Sequence, residues 1–547
     1  MNIAQHIERG HHLFPDKTAL IFEERSYTYK DLDLLANRVA NGLRDRNIHR
    51  GDRIALFLPN IPEFIIAYLG IVKIGAVAVS LNAMLKSTEV SFILNDSGAK
   101  AIVTTAELVE NVPEADLPEL KHILIAEGES SKGLGLAEMM ASASSEAKAI
   151  EMDRHAPAAI VYTSGTTGFP KGATLSHGNV ISNSYSQNRC CGMSAEERIL
   201  LYLPLFHCFG QNAVLNAGLN ACATIVLHRN FDLEKILNSV ATEQITMFFS
   251  VPTLYILLLN MGTLGYDLSS IRYYFSAAAP LPVEVAQKWF DKYGLEIHQG
   301  YGLTETSPCA SYNNDFKYKV GSIGTPIENV EMKIVHADGK DALPGDLGEI
   351  IIRGPNVMLG YWNRPFETAE VIKNGWFYTG DIGQIDEDGY FYIVDRSKDM
   401  INVAGFKVYP TEVENVIYQH PTVAEVAVYG VPNLETTEIV KANIVLKPEQ
   451  TVTEKQMIAF CSERMAAYKV PKAIKFVDSI PKNPTGKVLK RVLRDEAANE
   501  ALVVKPRSFV AKPAVTKTPA PVVTPATTNN SNKGVFKALG NLFKHRN

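Results

Sequence analysis

The chain has 547 residues, of which 46% are hydrophobic, 9% aromatic and 21% charged. This length and composition exclude a peptide, a coiled coil and a wholly disordered chain, and they predict two or more domains. Because 54 basic residues stand against 59 acidic ones, the net charge is −5, which argues against a nucleic-acid-binding protein.

Helical patterns alternate with short apolar runs through the first 300 residues. The spacing of apolar residues predicts a helix over 31–43, and the run 54–58 is typical of a buried strand. Later segments repeat the alternation, with strands predicted over 224–227, 246–251 and 271–276 and a helix over 282–293 that Gly294 ends. Such alternation predicts an α/β fold with parallel sheets.

One apolar segment, residues 64–81, is long enough to cross a membrane. Lys73 lies in its middle, and Gly70 and Gly75 weaken a continuous helix. We therefore expect a buried helix followed by a core strand rather than a membrane span.

The pattern of predicted helices and strands changes in the second half of the chain. From about Glu331, turn sequences such as HADGKD, LPGD and DEDG separate short strands and predict a smaller β-rich subdomain. After Asp395 a mixed α and β segment continues to about residue 500, and Thr411 with Glu414 predicts a capping box that opens a helix at Glu412.

Residues 501–547 form a separate electrostatic region with eight basic and no acidic side chains. Prolines among Ala, Val and Thr predict an extended, disordered linker over 501–533. Residues 534–547 place apolar side chains on one helical face beside lysines, which predicts a short basic amphipathic helix that contacts an anionic membrane surface or a partner protein. The alternative is an unstructured, solubilising tail.

The cysteines and the N-terminus indicate a cytoplasmic protein. Its six cysteines have irregular spacing without a Cys-x-x-Cys pair, which is unlike a disulfide framework or a zinc site. The N-terminal sequence MNIAQHIERGHHLF lacks the basic region and apolar run of a secretory signal. We therefore expect a cytoplasmic protein, with the basic tail as its one predicted contact to a membrane.

The strongest local signal is YTSGTTGFPKG at 162–172, which follows the apolar run 158–161. A strand that leads into a loop of Ser, Thr and Gly presents backbone N–H groups and hydroxyls to phosphate oxygens, and Lys171 adds a positive charge. The segment is not a Walker loop, because Gly172 follows Lys171 where that motif requires a hydroxyl residue.

This segment resembles the phosphate-binding loop of the adenylate-forming enzymes, which include acyl-CoA synthetases, firefly luciferase and peptide-synthetase adenylation domains. Further matches follow in that family's order: YLPLFHCFG (202–210), SAAAPLP (276–282), QGYGLTETSP (299–308), GEIIIRGPNVMLGYW (348–362), FYTGDIG (377–383), YIVDRSKDMINVAGFKVYPTEVE (392–414) and PKNPTGK (481–487). They span nearly all of residues 10–495, and the chain is most similar to the fatty-acyl-CoA synthetases of this superfamily.

The resemblance implies a fold, a domain plan and a reaction. The fold is α/β, with a large N-terminal domain over 1–395 that holds two parallel-type sheets and a small β-rich subdomain, a hinge at 396–398, and a small mobile α+β domain at 399–500. The reaction is ATP-dependent activation of a fatty acid to acyl-AMP with release of pyrophosphate, followed by transfer to CoA. The implied cofactors are ATP, Mg²⁺ and CoA.

The resemblance also assigns catalytic roles. Lys487 matches the lysine that bridges the substrate carboxylate and the α-phosphate, Glu305 matches the magnesium ligand, and Thr304 matches an α-phosphate contact. His207 matches a residue near the carboxylate end of the acyl tunnel. The phosphate loop is expected to bind ATP through Thr163, Ser164, Gly165, Thr166, Thr167, Gly168 and Lys171.

Further carried-over residues concern the nucleoside and the thiol. Asp381 with Arg396 is expected at the ribose, and the segments that hold adenine contribute Ala278, Ala279, Tyr301 and Gly302. Lys398 matches the hinge residue, and Gly405 matches the glycine that lines the pantetheine tunnel. Asn402 stands where many relatives have a lysine. The resemblance therefore does not say how the thiol carrier is bound.

Two alternative functions remain open. One is a fatty acyl-AMP ligase that loads an acyl carrier protein in a polyketide or lipopeptide pathway, and the other is an aryl-acid CoA ligase. The segment YLPLFHCFGQN has no acidic residue to pair with a substrate ammonium, which argues against α-amino acids. Lys487, Glu305 and Asp381 are all present, which argues against a non-catalytic binding homologue.

Overall fold

The computed structural model describes residues 1–163, 170–261, 265–314, 316–396, 398–433, 436–483 and 486–503. Backbone contacts divide the chain into two units, Met1–Asn499 and Glu500–Asn547. The features below belong to the first unit, except that the last helix extends four residues into the second. The linker predicted to begin at residue 501 is wrong for residues 501–503, which are helical. The rest of the predicted linker and the predicted amphipathic helix lie outside the described residues and stay predictions.

Helices alternate with strands in the first part of the chain, as the apolar spacing predicts. The elements are α1 (Gln5–Leu13), β1 (Thr18–Phe22), β2 (Arg25–Thr28), α2 (Tyr29–Arg44), β3 (Arg53–Phe57), α3 (Pro62–Lys73), β4 (Val77–Ser80), α4 (Ser87–Ser97), β5 (Ala99–Thr105), a 3₁₀ turn (Leu108–Asn111), β6 (His122–Glu127), β7 (Leu134–Gly135) and α5 (Leu136–Ser142). The helix predicted over 31–43 lies within α2, and the strand predicted over 54–58 corresponds to β3.

The apolar segment 64–81 forms most of α3 and all of β4, so the prediction of a buried helix and a core strand is confirmed. Lys73 is fully buried at the end of α3. Its Nζ atom lies 2.8 Å from a carboxylate oxygen of Glu8 and 2.8 Å from one of Asp33. Within the described ranges, the structure has no helix that is long and apolar enough to span a bilayer.

The central part of the chain continues the alternation. Its elements are β8 (Pro157–Thr163), β9 (Lys171–Ser176), α6 (His177–Cys191), β10 (Arg198–Leu201), a π-helix (Phe209–Asn216), α7 (Ala217–Ala221), β11 (Thr224–Leu227), α8 (Leu233–Thr242), β12 (Met247–Ser250), α9 (Pro252–Met261), β13 (Tyr273–Ser276), α10 (Val283–Tyr293), β14 (Ile297–Gly302), a 3₁₀ turn (Thr304–Thr306), β15 (Cys309–Tyr312) and β16 (Thr325–Pro326). α10 ends at Gly294, which has φ 69°, the left-handed conformation that glycine adopts without steric cost.

The β-rich subdomain predicted from Glu331 is confirmed. Its elements, together with one short strand that joins another sheet, are β17 (Glu331–Val335), β18 (Gly348–Arg353), β19 (Gly360–Tyr361), α11 (Pro365–Val371), β20 (Ile372–Lys373), β21 (Trp376–Ile385) and β22 (Phe391–Arg396). The strands pair in the order β17-β18-β21-β20, with β22 also on β21, and all of these pairings are antiparallel.

The C-terminal part forms a separate α+β layer. Its elements are β23 (Ile401–Val403), β24 (Phe406–Val408), α12 (Pro410–Tyr418), β25 (Val423–Asn433), β26 (Thr437–Leu446), α13 (Glu454–Ser462), β27 (Ala473–Phe476) and α14 (Lys490–Val503). The sheet order is β24-β23-β26-β25, with β27 on β26. Val408, Val428 and Ile444 belong to a hydrophobic core that is distinct from the core of the large domain.

The capping box predicted from Thr411 and Glu414 is wrong. α12 begins at Pro410, which takes the first helical position because its missing N–H has no partner there, and the preceding Tyr409 provides no side-chain cap. A carboxylate oxygen of Glu414 instead accepts a hydrogen bond from the Val428 N–H and lies 2.9 Å from Lys490 Nζ.

Two largely parallel sheets form the large domain and place the sequence motifs together. Their strand orders are β16-β15-β14-β13-β12-β10-β11-β1-β2 and β19-β9-β8-β4-β3-β5-β6-β7. Parallel pairing joins β10 with β12, β12 with β13 and β13 with β14. The motifs that begin near residues 202, 276 and 302 therefore leave one sheet at the same edge, where ligands bind in open α/β sheets.

Candidate active site

Asp381 is the most closely held of the predicted site residues. It is 4% exposed and lies on β21 directly opposite Arg396 of β22. One carboxylate oxygen accepts a hydrogen bond of 2.7 Å from the Tyr301 hydroxyl, and the other lies 3.1 Å from Arg396 Nε. The structure thus joins three predicted nucleoside-binding residues that are far apart in the sequence.

Glu305 lies in the 3₁₀ turn after β14 and is 9% exposed. The hydroxyl of Tyr361 donates a hydrogen bond of 2.8 Å to its Oε1. The ring of the same tyrosine faces Lys171, whose Nζ atom lies 5.3 Å from the ring centroid. Tyr361 therefore connects the predicted magnesium ligand with the predicted phosphate-loop lysine. The sequence motif GEIIIRGPNVMLGYW contains this tyrosine, but it received no role from sequence reasoning.

The phosphate loop is framed by its two strands. Thr163 ends β8, Lys171 begins β9, and the two residues pair across the antiparallel ladder. Thr304 begins the turn that carries Glu305. Ser164, Gly165, Thr166, Thr167 and Gly168 lie outside the described residues, so their predicted contacts stay predictions.

The predicted adenine segments have backbones with little tolerance for other residues. Ala278 has φ 70°, which is uncommon for a residue with a side chain and is often seen near functional sites. A Cβ added at Gly302 would lie 1.7 Å from the carbonyl oxygen of Pro308, so only glycine fits there. Ala279 follows Ala278 in the loop after β13, and Tyr301 precedes Gly302 at the end of β14.

Lys487 is joined to Asn483 by two hydrogen bonds. Its backbone N–H donates to Oδ1 of Asn483 at 2.8 Å, and the backbone N–H of Asn483 donates to the carbonyl of Lys487 at 2.9 Å. Burial is the main cause that lowers the pKa of Lys487 to about 8, and the charge of Arg396 is the next. The lysine turn therefore lies within electrostatic reach of the nucleoside-binding pair.

His207 lies just before the π-helix, a helix type that occurs frequently at functional sites. Its Nδ1 accepts a hydrogen bond of 3.2 Å from the Phe209 N–H, so the proton of the neutral ring is on Nε2. Burial, and next the charge of Lys487, lowers the pKa of His207 to about 4. At neutral pH this ring is therefore an uncharged donor close to Lys487.

The structure does not bring Gly405 to these residues. Gly405 lies in the exposed turn between β23 and β24, with φ 90°, and its N–H donates to Oδ1 of Asn402 at 2.9 Å. In the parts of the chain that the structure describes, no hydrogen bond or ion pair links Gly405 to Asp381 or Glu305. Lys398 is exposed, two residues after the end of β22.

Comparison with known families identifies the family to which the chain belongs. The family model described as AMP-binding enzyme matches residues 7–362, and the model described as AMP-binding enzyme C-terminal domain matches residues 412–487. The chain belongs to the AMP-binding enzymes. It is thus a member of the adenylate-forming superfamily that its motifs resemble.

Similar proteins cover nearly the same length as this AMP-binding enzyme. The long-chain-fatty-acid–CoA ligase of Bacillus subtilis is 36% identical over 519 residues, which cover 88% of this chain and 92% of that protein. Feruloyl-CoA synthase of Amycolatopsis sp is also 36% identical, over 483 residues that cover 88% of this chain and 96% of that protein. These names, with the family match, make the chain an AMP-forming acid–thiol ligase with ATP and CoA as co-substrates.

A solved structure supports the same assignment. ATP-bound MatB from Rhodopseudomonas palustris matches with a TM-score of 0.86 at 33% identity, over 91% of this chain and 100% of that one. The apo structure of MatB matches over the same shares with a TM-score of 0.76. As a whole, the chain superposes better on the ATP-bound structure than on the apo structure.

The residues present fit a magnesium ion that is shared with a nucleotide. Among the described residues, no cluster of three or more His, Cys, Asp or Glu side chains forms a complete metal site. Glu305 offers one buried carboxylate, of which Oε1 is oriented by Tyr361. Mg²⁺ commonly takes one or two protein carboxylates and completes its coordination with phosphate oxygens and water, which agrees with this donor set.

Proposed function

We propose that this AMP-binding enzyme is a fatty acid–CoA ligase. In its first step a fatty-acid carboxylate attacks the α-phosphorus of ATP, the bond to the β-phosphate oxygen breaks, and pyrophosphate leaves with the electron pair. In its second step the CoA sulfur attacks the acyl carbon, the thiol loses its proton, and AMP leaves. The proposal depends chiefly on the contact between the large domain and the residue before Lys487, where the Thr253 hydroxyl donates a hydrogen bond of 3.3 Å to the Gly486 carbonyl oxygen.

Lys487 is proposed to offset the repulsion between two anions in the first step. A carboxylate and a triphosphate repel each other as they approach, and a cation in a partly dehydrated cleft lowers the energy of the transition state. Lys487 is buried enough for its pKa to fall, so its attraction for anions is little screened by water. Neutral His207 is proposed to donate a hydrogen bond from its Nε2–H to the same carboxylate without adding a second charge.

The nucleotide is proposed to bind through residues on both sides of the cleft. Asp381 would accept hydrogen bonds from ribose hydroxyls, and Arg396, whose Nε lies 3.1 Å from one carboxylate oxygen, orients it. Ala278, Ala279, Tyr301 and Gly302 would hold adenine. The phosphates would contact Thr304, Lys171 and Thr163, with Ser164, Gly165, Thr166, Thr167 and Gly168 completing the loop.

Glu305 is proposed to bind Mg²⁺, which would neutralise phosphate charge when bound. Because Tyr361 donates to Oε1, the lone pairs of Oε2 are the ones available to the ion. Because the described residues contain no group of three or more His, Cys, Asp or Glu side chains that could hold a metal ion, the metal is expected to arrive together with ATP.

The thiol step is proposed to need a different placement of residues 399–499. Gly405 matches the glycine that lines the pantetheine path in the family, but here it is exposed in a β-turn away from Glu305 and Asp381. Rotation at the predicted hinge, 396–398, would withdraw Lys487 and present Gly405 instead. The exposed position of Lys398 after β22 suits a hinge residue.

The acid is proposed to be aliphatic, although aryl acids are the second candidate. The Bacillus subtilis relative acts on long-chain fatty acids and the Amycolatopsis relative forms feruloyl-CoA, at equal identity to this chain. Transfer to an acyl carrier protein is a further alternative, to which the predicted tail helix would contribute a docking segment or a membrane contact.

Mass spectrometry of reaction products tests these proposals. The full-length protein is incubated with ATP, Mg²⁺ and a mixture of medium-chain, long-chain and hydroxycinnamic acids, with and without CoA. We expect fatty acyl-CoA to accumulate over many turnovers. Exclusive feruloyl-type products would favour the aryl alternative, and acyl-AMP that persists in the presence of CoA would favour a carrier protein. Absence of any acyl-AMP, acyl-CoA or pyrophosphate would contradict the ligase proposal.

A Lys487→Ala variant is the matched control for the assay. It is expected to lose acyl-AMP formation from ATP while it still converts supplied acyl-AMP and CoA to the thioester. Equal loss of both half-reactions would contradict the assignment of Lys487 to the first step alone.

A further inference from the structure

We propose that Tyr361 is a positioning residue that sets the metal requirement of nucleotide binding. This inference rests on the proposed function, because it concerns the carboxylate of Glu305 as a magnesium ligand. Tyr361 would not touch the reacting atoms. It would act by fixing Glu305 with its hydroxyl and Lys171 with its ring.

The backbone of Tyr361 is firmly held. β19 pairs with β9 in antiparallel fashion, and Tyr361 lies opposite Ala173 in this ladder. The Tyr361 N–H donates to Oγ1 of Thr368 at 2.9 Å, and the N–H of the next residue, Trp362, donates to the carbonyl of Gly172 at 2.7 Å. Since β9 begins at Lys171, the tyrosine is fixed to the same strand that leaves the phosphate loop.

The side chain of Tyr361 lies against two of the charged groups of the site, Glu305 and Lys171. Its hydroxyl lies 2.8 Å from Glu305 Oε1, and its ring centroid lies 5.3 Å from Lys171 Nζ. A hydrogen bond to an ionised carboxylate is stronger than one between neutral groups, and the ring face attracts the ammonium. Tyr361 is thus a spacer between a cation and an anion that would otherwise be free to form an ion pair.

The separation has a chemical consequence. If Lys171 paired with Glu305, the lysine would be lost to the phosphates and the carboxylate would be lost to the metal. A tyrosine that holds the two apart keeps both available for Mg²⁺·ATP. Loss of the hydroxyl should therefore weaken metal recruitment, while the adenosine contacts through Asp381 remain intact.

The test is the Mg²⁺ dependence of ATP binding, measured by isothermal titration calorimetry on the full-length protein. Tyr361→Phe removes the hydroxyl and keeps the ring. We expect the Mg²⁺ concentration for half-maximal ATP binding to rise on the order of tenfold, because a hydrogen bond to a charged group is lost. At saturating Mg²⁺, ATP affinity should stay within about threefold of that of the wild type.

Tyr392→Phe is the matched control. Tyr392 lies on β22, and its hydroxyl donates to a carboxylate oxygen of Asp386 at 3.0 Å, so this variant also loses a tyrosine–carboxylate hydrogen bond. It should leave the Mg²⁺ dependence unchanged. Circular dichroism and thermal unfolding establish that each variant is folded.

Double-variant measurements separate positioning from a general loss of structure. In a Glu305→Gln background, adding Tyr361→Phe should change the Mg²⁺ dependence little, because the two residues act through one carboxylate. If Tyr361→Phe does not fold, Tyr361→His, which keeps a ring N–H donor, is compared with Tyr361→Leu. The histidine variant should then require less Mg²⁺ than the leucine variant.

Specific outcomes would overturn the inference. A wild-type Mg²⁺ dependence in Tyr361→Phe, an additive effect in the Glu305→Gln background, or equal Mg²⁺ requirements of Tyr361→His and Tyr361→Leu would each do so. Failure of the proposed function has a different signature. In that case the wild-type protein itself would bind ATP without Mg²⁺ dependence, or Glu305→Gln would leave that dependence unchanged.

Discussion

Thr253 donates a hydrogen bond of 3.3 Å to the carbonyl oxygen of Gly486, and this bond joins α9 of the large domain to the turn that carries Lys487. Gly486 has φ 79°, and a Cβ added there would lie 3.0 Å from Val251 Cγ2, so the turn approaches the large domain closely. The large domain thus contacts the lysine turn directly, in the arrangement that the proposed adenylation step needs.

Replacement of Thr253 by Val should weaken this docking selectively. The substitution keeps the shape of the side chain and removes the donor, so we expect acyl-AMP formation to slow by about threefold to tenfold. Thioester formation from supplied acyl-AMP should be unchanged, because Lys487 is not assigned to it. Single-turnover assays of each half-reaction measure the two rates. Thr242→Val, which removes a surface hydrogen bond within α8, is the control. Equal slowing of both half-reactions by Thr253→Val would contradict the proposed docking role.

The pKa of Lys487 predicts an alkaline loss of adenylation. Burial and the neighbouring Arg396 lower this pKa to about 8 from the ordinary lysine value of 10.5. The ammonium is therefore present below pH 8 and is lost as the pH rises above it. We expect kcat/KM for ATP, which reports the free enzyme, to fall above about pH 8.

Lys487→Arg provides the comparison for the pH profile. A guanidinium stays charged throughout this range, so the alkaline fall should disappear even if the plateau is lower. An unchanged fall near pH 8 in the arginine variant would assign the titration to another group.

Removal of the buried charge of Lys73 should destabilise the large domain. Lys73→Met would leave the buried carboxylate of Asp33 and the half-buried carboxylate of Glu8 without their shared cation. Breaking a buried ion pair in this way typically costs about 3–5 kcal/mol in the free energy of unfolding. Urea denaturation followed by circular dichroism measures the change.

A surface control and a combined variant test whether the effect of Lys73→Met comes from the buried charges. Lys132→Met removes a pair with the exposed Glu110 and should cost less than about 1 kcal/mol. Combining Lys73→Met with Glu8→Gln and Asp33→Asn should recover part of the loss, because the unpaired charges are gone. If Lys73→Met were no more destabilising than Lys132→Met, the buried network would have no special energetic role.

Deletion of the basic tail should spare catalysis. α14 continues to Val503, so the truncation belongs after that residue rather than at the predicted boundary of 500. We expect turnover with dispersed acid and CoA to stay within about twofold, because the family models match no residue beyond 487. Sedimentation with anionic vesicles then tests the predicted membrane contact separately. A collapse in turnover would show that the tail belongs to the catalytic fold.

Local sequence signals predicted the elements whose causes are themselves local. The strand at 224–227 and the end of α10 at Gly294 follow from β-branched residues and from the left-handed preference of glycine. The capping box at Thr411 was wrong because Pro410 already supplies a favourable first helical residue, and because Glu414 is engaged by Val428 in the neighbouring strand. Tertiary contacts of this kind override local propensity.

In the candidate site too, sequence signals identified individual residues but not their tertiary contacts. The resemblance identified Asp381, Glu305 and Lys487 as single residues, and the structure supplies the partners that orient them. Tyr361 and Thr253 were missed because each acts through a residue far away in the sequence, Glu305 and Gly486 respectively. The tyrosine was visible in a quoted motif, but its spacing alone gives no indication of its partner.

The strand pairing of Asp381 with Arg396 adjoins the predicted hinge. Arg396 is the last residue of β22 and the first residue of the predicted hinge, 396–398. The predicted rotation would therefore start at the residue that pairs with Asp381. The proposed ribose contact and the proposed rotation would therefore share one rung of a β-ladder.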